Sequence, residues 1–349
     1  MSASFDRSAI EAFAAAALTS VGVPDSHAAI VAESLTVADQ RGTHSHGLLR
    51  LPLYVGAIQS GGINANPNFQ WKTDRGTVAL LDADAALGQV AMHEAVEYVA
   101  RNIDTHGIVA VAVQDSTHFG AGSYWAETLS KRGCIVLLTS STGASVTPYG
   151  GAERLLGTNP FTISAPSTAD APLTLDIATS RIAYGKVVAA RNEGRAIPEG
   201  MAVDRTGAPT TDPDKALEGA LLPFGEHKGS GLSVLLEALS VILGGAAFAH
   251  EAVDIWDDPT SRMNTGHLLI ALDANAFGGV DAAGARVAHL QNRVRNSGGP
   301  NASVLAPGDI EAATAARSGN LVRVDDPTVV ALEELARGLS LPFPASTAA

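Results

Sequence analysis

Six consecutive apolar residues, Ile108-Val109-Ala110-Val111-Ala112-Val113, run almost directly into Ser116-Thr117-His118-Phe119-Gly120-Ala121-Gly122. So continuous a β-branched run lacks the alternation of a half-solvated strand, and it predicts a strand covered on both faces. A helical stretch at about 123–131 follows, then a second apolar run, Cys134-Ile135-Val136-Leu137-Leu138. Strand, glycine turn, helix and strand in that order predict a βαβ-like unit and an α/β fold.

The remaining chain can be arranged around that unit. Residues 4–22 carry Ile10, Phe13, Ala17 and Leu18 at helical spacing, and Pro24-Asp25-Ser26 opens a second helix towards Gln40. A third helix, 48–58, ends at Ser60-Gly61-Gly62, and a strand at 77–81 precedes a helix at 89–103 closed by His106-Gly107. Downstream, strands are expected at 161–164, 173–177 and 268–272. Helices are expected at 231–249, at 310–316 and from Asp325-Asp326-Pro327 to about Arg337. Between 193 and 231 the chain is rich in Gly, Pro, Thr and Asp, with only a short helical turn begun by Thr210-Thr211-Asp212-Pro213. A stretch this long without periodicity predicts a functional or subunit-wrapping arm. No internal repeat is visible.

At 349 residues the chain exceeds one average domain, and its 46% hydrophobic content supports a real core. The net charge of -13 argues against nucleic-acid and anionic-membrane surfaces as partners. The lone Cys134 has no internal disulfide partner and reads as a buried strand residue. Asp6 and Glu11 precede the alanine-rich patch at 13–18 without a basic segment, so a signal peptide is not expected. The apolar run 231–249 carries Glu237 in its middle and reads as a core helix, not a membrane span. The expected compartment is the cytoplasm.

Chemistry concentrates in Arg41-Gly42-Thr43-His44-Ser45-His46-Gly47-Leu48-Leu49-Arg50. Read as a turn entering a helix, it places His46 and Arg50 on one face, roughly 5–6 Å apart at Cβ, with Ser45 as the helix cap. An imidazole that can deliver a proton beside a fork that can clamp a carboxylate suits reduction of a 2-oxo acid. His44 and His46 could alternatively ligate a metal, but the flanking arginines disfavour a cation there. Gly120-Ala121-Gly122 invites a dinucleotide fingerprint; Trp125 occupies the third glycine position and no acidic residue ends a following second strand, which argues against an ordinary Rossmann site. His118 reads equally well as a satisfied core residue or a site residue. Glu226-His227-Lys228-Gly229-Ser230-Gly231 leads into a helix, where free N–H groups, the dipole and Lys228 suit a pyrophosphate, though the spacing is not that of a P-loop.

Arg41-Gly42-Thr43-His44-Ser45-His46-Gly47, followed by Arg50 and Tyr54, resembles the opening signature of the non-Rossmann malate/L-lactate dehydrogenase family. Its relatives include ureidoglycolate dehydrogenase, diketogulonate reductase, sulfolactate dehydrogenase and Δ1-piperideine-2-carboxylate reductase. The likeness continues in order through Ser116-Thr117-His118-Phe119-Gly120, Gly157-Thr158-Asn159-Pro160, Asp176-Ile177-Ala178-Thr179-Ser180, Ile197-Pro198-Glu199-Gly200, Thr210-Thr211-Asp212-Pro213, His227-Lys228-Gly229 and Pro307-Gly308. It covers residues from about 5 to 340.

The resemblance implies an α/β fold whose mixed sheet belongs to a non-Rossmann NAD(P)-binding region at 71–308, with a long loop arm at about 190–230. It further implies a helical domain built from 1–70 and 309–349 that carries His46 and Arg50. A homodimer with shared active sites is implied too. By the same resemblance His46 is the proton donor, Ser45 its relay partner, His118 a second acid/base candidate, Arg50 the carboxylate clamp and Thr158 a substrate contact. NAD or NADP would lie against Phe119, Gly120, Ala121, Gly122, Ser141, Asp176, Ile177, Ala178, Lys228, Ala306, Pro307 and Gly308. Asp176 would disfavour NADP if it faces the adenosine ribose. Two positions depart from the pattern: Glu226 stands where glycine is expected, and Lys186 where the cyclic-imine reductases carry an aspartate relay residue. The expected activity is hydride transfer between NAD(P) and a small 2-oxo or 2-hydroxy acid of the malate, L-lactate or ureidoglycolate type. The alternatives are reduction of cyclic imino acids (Δ1-piperideine- or pyrroline-2-carboxylate), a metal-dependent hydrolase using His44, His46 and His118, and a non-catalytic binding protein.

Overall fold

A computed structural model describes residues 2–299 and 302–347. In chain order the elements are β1 (Ser2–Asp6), α1 (Arg7–Thr19), α2 (Asp25–Gln40), α3 (Leu51–Ser60), β2 (Gln70–Asp74), β3 (Val78–Ala86), α4 (Gly88–His106), β4 (Ile108–Ser116), α5 (Gly122–Ser130) and β5 (Cys134–Ser140). Then come β6 (Phe161–Ala165), β7 (Leu173–Ile177), α6 (Tyr184–Asn192), β8 (Ala202–Val203), β9 (Pro209–Thr210), α7 (Pro213–Glu218), β10 (Ala220–Leu221) and α8 (Glu226–Val241). The chain closes with β11 (Thr265–Asp273), α9 (Val280–Arg295), α10 (Asp309–Ser318), β12 (Leu321–Asp325) and α11 (Asp326–Leu339).

The central sheet has the order β2-β3-β4-β11-β5-β6-β7, and only β3 and β4 run parallel. The mixed sheet expected from the sequence is present, but the βαβ-like unit is assembled differently. β11, supplied from 125 or more residues downstream, inserts between β4 and β5 and pairs antiparallel with both. The directly paired parallel crossover is β3-α4-β4. Leu81, Val111, Val136 and Leu269 pack with α4 and α5 on one face of this sheet. Ser240 of α8 reaches Thr139 on the other face, so β4 and its neighbours lie in the middle layer. Cys134 is buried in β5, and burial pushes its thiol up to about 11.

Several boundaries move for identifiable reasons. The first helix begins at Arg7 because Asp6 caps it, accepting from the backbone N–H groups of Ser8 and Ala9 at 3.0 and 3.3 Å. The preceding residues pair with β12 instead, tying the two ends of the chain into one core that includes Phe5, Leu18, Leu35, Tyr54, Val324 and Leu332. α8 starts at Glu226, five residues ahead of the expected point, and buries only one stripe. Leu235 on its other side and Ile242 just past its end are 63% and 65% exposed, so it is not the enclosed core helix its composition suggested. Glu237 within α8 accepts from Asn159 Nδ2 at 2.7 Å and from the Ala249 N–H at 2.6 Å, which accounts for a carboxylate in an apolar run. The segment expected as an arm carries α7, a small sheet ordered β10-β8-β9 and its own core of Val187, Ile197, Ala202, Ala216 and Leu221. α9 went unassigned in the sequence; it buries little beyond Gly284 and Gln291, so its apolar stripe is weak.

Candidate active site

The 41–50 stretch is built from two 3-10 turns, His44–His46 and Leu48–Arg50, ahead of α3. Pro52, in the first turn of α3, has no N–H to continue a helix backwards, so the regular helix begins at Leu51 and not at Leu48. Ser45 is therefore not its cap. The Ser45 hydroxyl lies 2.8 Å from His46 Nδ1, and the Ser45 carbonyl accepts from Arg50 Nε at 2.7 Å. The guanidinium of Arg50 also stacks over Trp256, 4.7 Å from the ring centroid. Among the described residues its two terminal nitrogens make no hydrogen bond to protein, so the open end of the fork is available to a ligand.

His44 turns the other way. Its Nδ1 pairs with Asp39 Oδ1 at 2.8 Å, which holds the imidazole pKa above its ordinary value, while Asp39 Oδ2 accepts from the Leu48 N–H at 2.8 Å. A Cβ on Gly47 would fall 2.2 Å from the same carboxylate, so glycine is required where the two turns meet. His44 and His46 thus diverge. Among the described residues no group of three His, Cys, Asp or Glu is placed to hold a metal ion. Arg41 faces Glu127 of α5, with Nη1 at 2.9 Å from Oε2, and ties α2 to α5 behind the site.

His118, at the end of β4, closes the opposite wall. Its ring stacks on His46 with centroids 5.3 Å apart and planes 22° from parallel, and it meets Trp256 edge-on at 5.6 Å. Tyr54 of α3 accepts from Gln89 Nε2 at 3.1 Å, leaving its own proton for His118 Nδ1 at 2.6 Å. Burial pushes the Tyr54 hydroxyl up to about 12, so it stays a donor, and His118 is held as the tautomer protonated on Nε2. Burial also lowers both imidazoles: His46 to about 4, opposed by nearby Asp176 and reinforced by Arg50, and His118 well below its usual value, with His46 and Arg50 adding to the effect. At neutral pH the unliganded pair is a stack of two neutral bases.

The residues expected on the cofactor side fall into four places, the last of them the start of α8. In the first, Gly120 adopts φ +81°, and a Cβ on Gly122 would lie 2.2 Å from Thr162 Oγ1. The start of α5 is therefore bare, with Ala121 at its head and Phe119 buried beneath. Trp125, in the missing glycine position, donates Nε1–H to the Phe119 carbonyl at 3.0 Å and locks this turn. Asp176 caps it from β7, accepting from the Ser123 N–H at 2.8 Å and Thr162 Oγ1 at 2.9 Å, within electrostatic reach of His46. Ile177 ends β7 and Ala178 is exposed beyond it.

In the second place, Ser141 is buried at the end of β5 and accepts from the Gly266 N–H at 3.0 Å. Thr158 is tied to the following residue, its N–H donating to Thr142 Oγ1 at 2.9 Å and its carbonyl accepting from Thr179. In the third place, Ala306, Pro307 and Gly308 form the turn into α10; Gly308 has φ +90° and packs against the Thr174 carbonyl of β7. Lys228 stands exposed in the first turn of α8, whose N-cap, Gly225, offers no side chain. A lysine against the positive end of a helix dipole costs about 0.3–1 kcal/mol unless an anion lies nearby. The bare α5 turn and this cationic helix start fit a dinucleotide that carries a carboxamide and phosphates. Glu226 adopts φ 55°, the left-handed region that favours glycine, which explains why its departure from the family pattern stands out. Lys186 is exposed on α6.

Four neighbours of the site were not singled out from the sequence as site residues: Gln89, Asp254, Trp256 and His267. His267 had a signal, being a histidine in the apolar run of β11. Its Nε2 lies 2.9 Å from Ser116 Oγ and its Nδ1 2.9 Å from Ser140 Oγ, joining the ends of β4 and β5. Gln89, Asp254 and Trp256 sit in no motif that marks them.

Residues 5–333 match the sequence pattern of the malate/L-lactate dehydrogenase family. L-sulfolactate dehydrogenase of Methanocaldococcus jannaschii is 35% identical over 325 residues, 93% of this chain and 94% of the relative. A solved structure of sulfolactate dehydrogenase from that organism superposes with a TM-score of 0.91 over 98% of each chain, at 33% identity. Ureidoglycolate dehydrogenase (NAD+) of Escherichia coli K12 is 38% identical over 260 residues, 74% of each chain. The crystal structure of delta1-piperideine-2-carboxylate reductase from Pseudomonas syringae superposes with a TM-score of 0.87 at 30% identity, covering 95% of this chain and 99% of that one. With a family match over most of its length, and His46, His118 and Arg50 brought together around Trp256 and Ser45, this chain belongs to the malate/L-lactate dehydrogenase family.

Proposed function

We propose that the protein is an NAD(P)-dependent oxidoreductase that interconverts a small 2-oxo acid and the corresponding 2-hydroxy acid. The observation that carries this reading is the open fork of Arg50 beside the stacked pair His46 and His118. Arg50 clamps the substrate carboxylate, held in place by the Ser45 carbonyl and the Trp256 ring. Phe119, Gly120, Ala121, Gly122, Ser141, Asp176, Ile177, Ala178, Lys228, Ala306, Pro307 and Gly308 hold the cofactor, and Thr158 lines the substrate side. When bound, the nicotinamide supplies or accepts the hydride.

His46 gives a proton to the substrate oxygen during reduction and takes it back during oxidation. Exposed Ser45, bonded to His46 Nδ1, links the ring to solvent and accepts that N–H when the ring is charged. Two stacked imidazoles 5.3 Å apart do not both carry charge, so His118 stays neutral and offers its Nε2–H as a hydrogen-bond donor. The test is to follow oxidation of NADH and of NADPH with pyruvate, oxaloacetate, longer 2-oxo acids and cyclic imines. Cyclic imino acids are the second reading, favoured by the likeness to the Pseudomonas syringae reductase; turnover of imines alone would establish it. Failure of both cofactors to raise thermal stability would leave a non-catalytic binding protein.

A proton is expected to enter with the substrate. His46 is lowered to about 4 in the free site, and an anion clamped at Arg50 raises it. The complex then binds more protons than the free site, so oxo-acid affinity rises as pH falls through the window between the two values. Calorimetric titration of the protein and NADH with oxamate, in buffers of differing ionisation enthalpy near pH 6, should show net proton uptake. Proton release would refute it.

The homodimer is proposed to form through the outer face of α8 and the turn after it, where Leu235, Leu239, Ile242 and Leu243 present an exposed apolar stripe. Light scattering at micromolar concentration should give the dimer mass; a monomer there would reject the assembly.

A further inference from the structure

His44 takes no part in the proposed proton transfer, yet its ring is tied down. The imidazole is 52% exposed and donates Nδ1–H to Oδ1 of Asp39, a side chain only 5% exposed near the end of α2. The other carboxylate oxygen accepts the Leu48 N–H at 2.8 Å, and a Cβ on Gly47 would fall 2.2–2.4 Å from all three carboxylate atoms. One carboxylate thus grips both 3-10 turns, one on each oxygen. The same two turns carry the groups assigned to chemistry: Ser45 and His46 on the first and Arg50 on the second, linked by the Arg50 Nε bond to the Ser45 carbonyl. The two grips differ in kind. Leu48 is held through its backbone, whereas among the described residues the first turn reaches this carboxylate through the His44 side chain alone.

Resting on the roles proposed for His46 and Arg50, we infer that His44 is a positioning residue: its bond to Asp39 fixes the first 3-10 turn and so holds the His46 ring where the clamped substrate needs its proton. A hydrogen bond to an ionised, buried carboxylate is among the stronger contacts a side chain can make. Burial pushes Asp39 up, whereas its bonds to His44 and Leu48 pull it down; with both oxygens accepting, the anion is the form that fits. Asp39 also dominates the setting of His44, because Asp325 and Arg323 of β12 act on the ring in opposite senses. Loss of the imidazole frees the first turn but leaves Leu48 gripped and Arg50 stacked on Trp256. The cost therefore falls on proton delivery more than on carboxylate binding. Since the ring is half exposed, its removal leaves no core cavity.

His44→Ala is expected to lower kcat for the oxo acid on the order of 10-fold, with the Michaelis constant and NADH binding changed by no more than about threefold. His44→Asn places a donor, Nδ2, the same number of bonds from Cα as Nδ1, and should recover at least roughly a third of wild-type turnover. Asp39→Asn should cost at least as much as the alanine variant, because an amide offers its oxygen to one N–H and its own NH2 to the other. Wild-type turnover in His44→Ala or in Asp39→Asn overturns the inference. So does a loss confined to the Michaelis constant, or an equal loss in the asparagine variant, which would give the imidazole itself a part in the chemistry. Hydrogen exchange of the 44–50 segment, followed by mass spectrometry, reads the brace without turnover. Exchange should quicken in His44→Ala and return towards wild type in His44→Asn, whereas exchange unmoved by alanine overturns the brace. The expected exchange pattern alongside a wild-type protein that turns over no 2-oxo acid would instead overturn the proposed reaction and leave His44 as the brace of its segment.

Discussion

Replacing His46 with alanine is expected to lower turnover by roughly 10²–10⁴-fold, the range of a lost general acid, with NADH binding nearly intact. The physical basis is the charge that develops on the substrate oxygen as hydride arrives at carbon. An imidazolium next to that oxygen quenches the charge, whereas water in an emptied cleft does so poorly. The ring is also the member of the stacked pair with a hydroxyl path to solvent, through Ser45. His118 has its Nδ1 taken up by Tyr54, so it cannot replace His46 efficiently. Steady-state assays with saturating cofactor, and NADH titration by fluorescence, measure the two quantities separately. Unchanged turnover would remove His46 from the chemistry and assign it to His118. The variant should also abolish the oxamate-linked proton uptake, a readout that loss of shape alone would not move.

Arg50→Lys is expected to raise the apparent Michaelis constant for the acid on the order of 100-fold, with a smaller change in turnover. An ammonium keeps the charge but loses the planar fork and the parallel pair of N–H donors, each worth about 1.5–3 kcal/mol when charge-assisted. It also cannot donate to the Ser45 carbonyl while facing the substrate, nor stack flat on Trp256, so its position is lost with its geometry. Substrate saturation curves for the two proteins decide it: a fall in turnover with an unchanged Michaelis constant would rule out the clamp. The outcome also bears on the 41–50 segment, because Arg50 Nε is what braces the first 3-10 turn from below.

Much of the fold was legible in the residues themselves. The apolar run at Ile108, the glycines that close α3 and α4 with positive φ, and the Asp212 and Asp325 caps are local features, and local features mark elements well. Weakly amphipathic or mostly exposed pieces were harder to read. β2 alternates exposed and half-buried residues at the sheet edge, and α9 buries two positions, so neither leaves a strong apolar pattern. The start of α8 was obscured because Glu226 takes a left-handed conformation that its identity does not announce.

The sequence by itself determined the strand that anchors the sheet, the inventory of groups in the 41–50 segment and the ordered motifs that mark the family. Tertiary structure decided what those groups do. It inserted β11 between β4 and β5, sent His44 to Asp39, stacked His46 on His118 and brought Tyr54 to a partner 64 positions away. It also placed Trp256 beside Arg50. The reason is physical: periodicity and capping record how each residue meets its near neighbours, while a cleft is made where distant segments meet, and that meeting is set by the packing of whole layers.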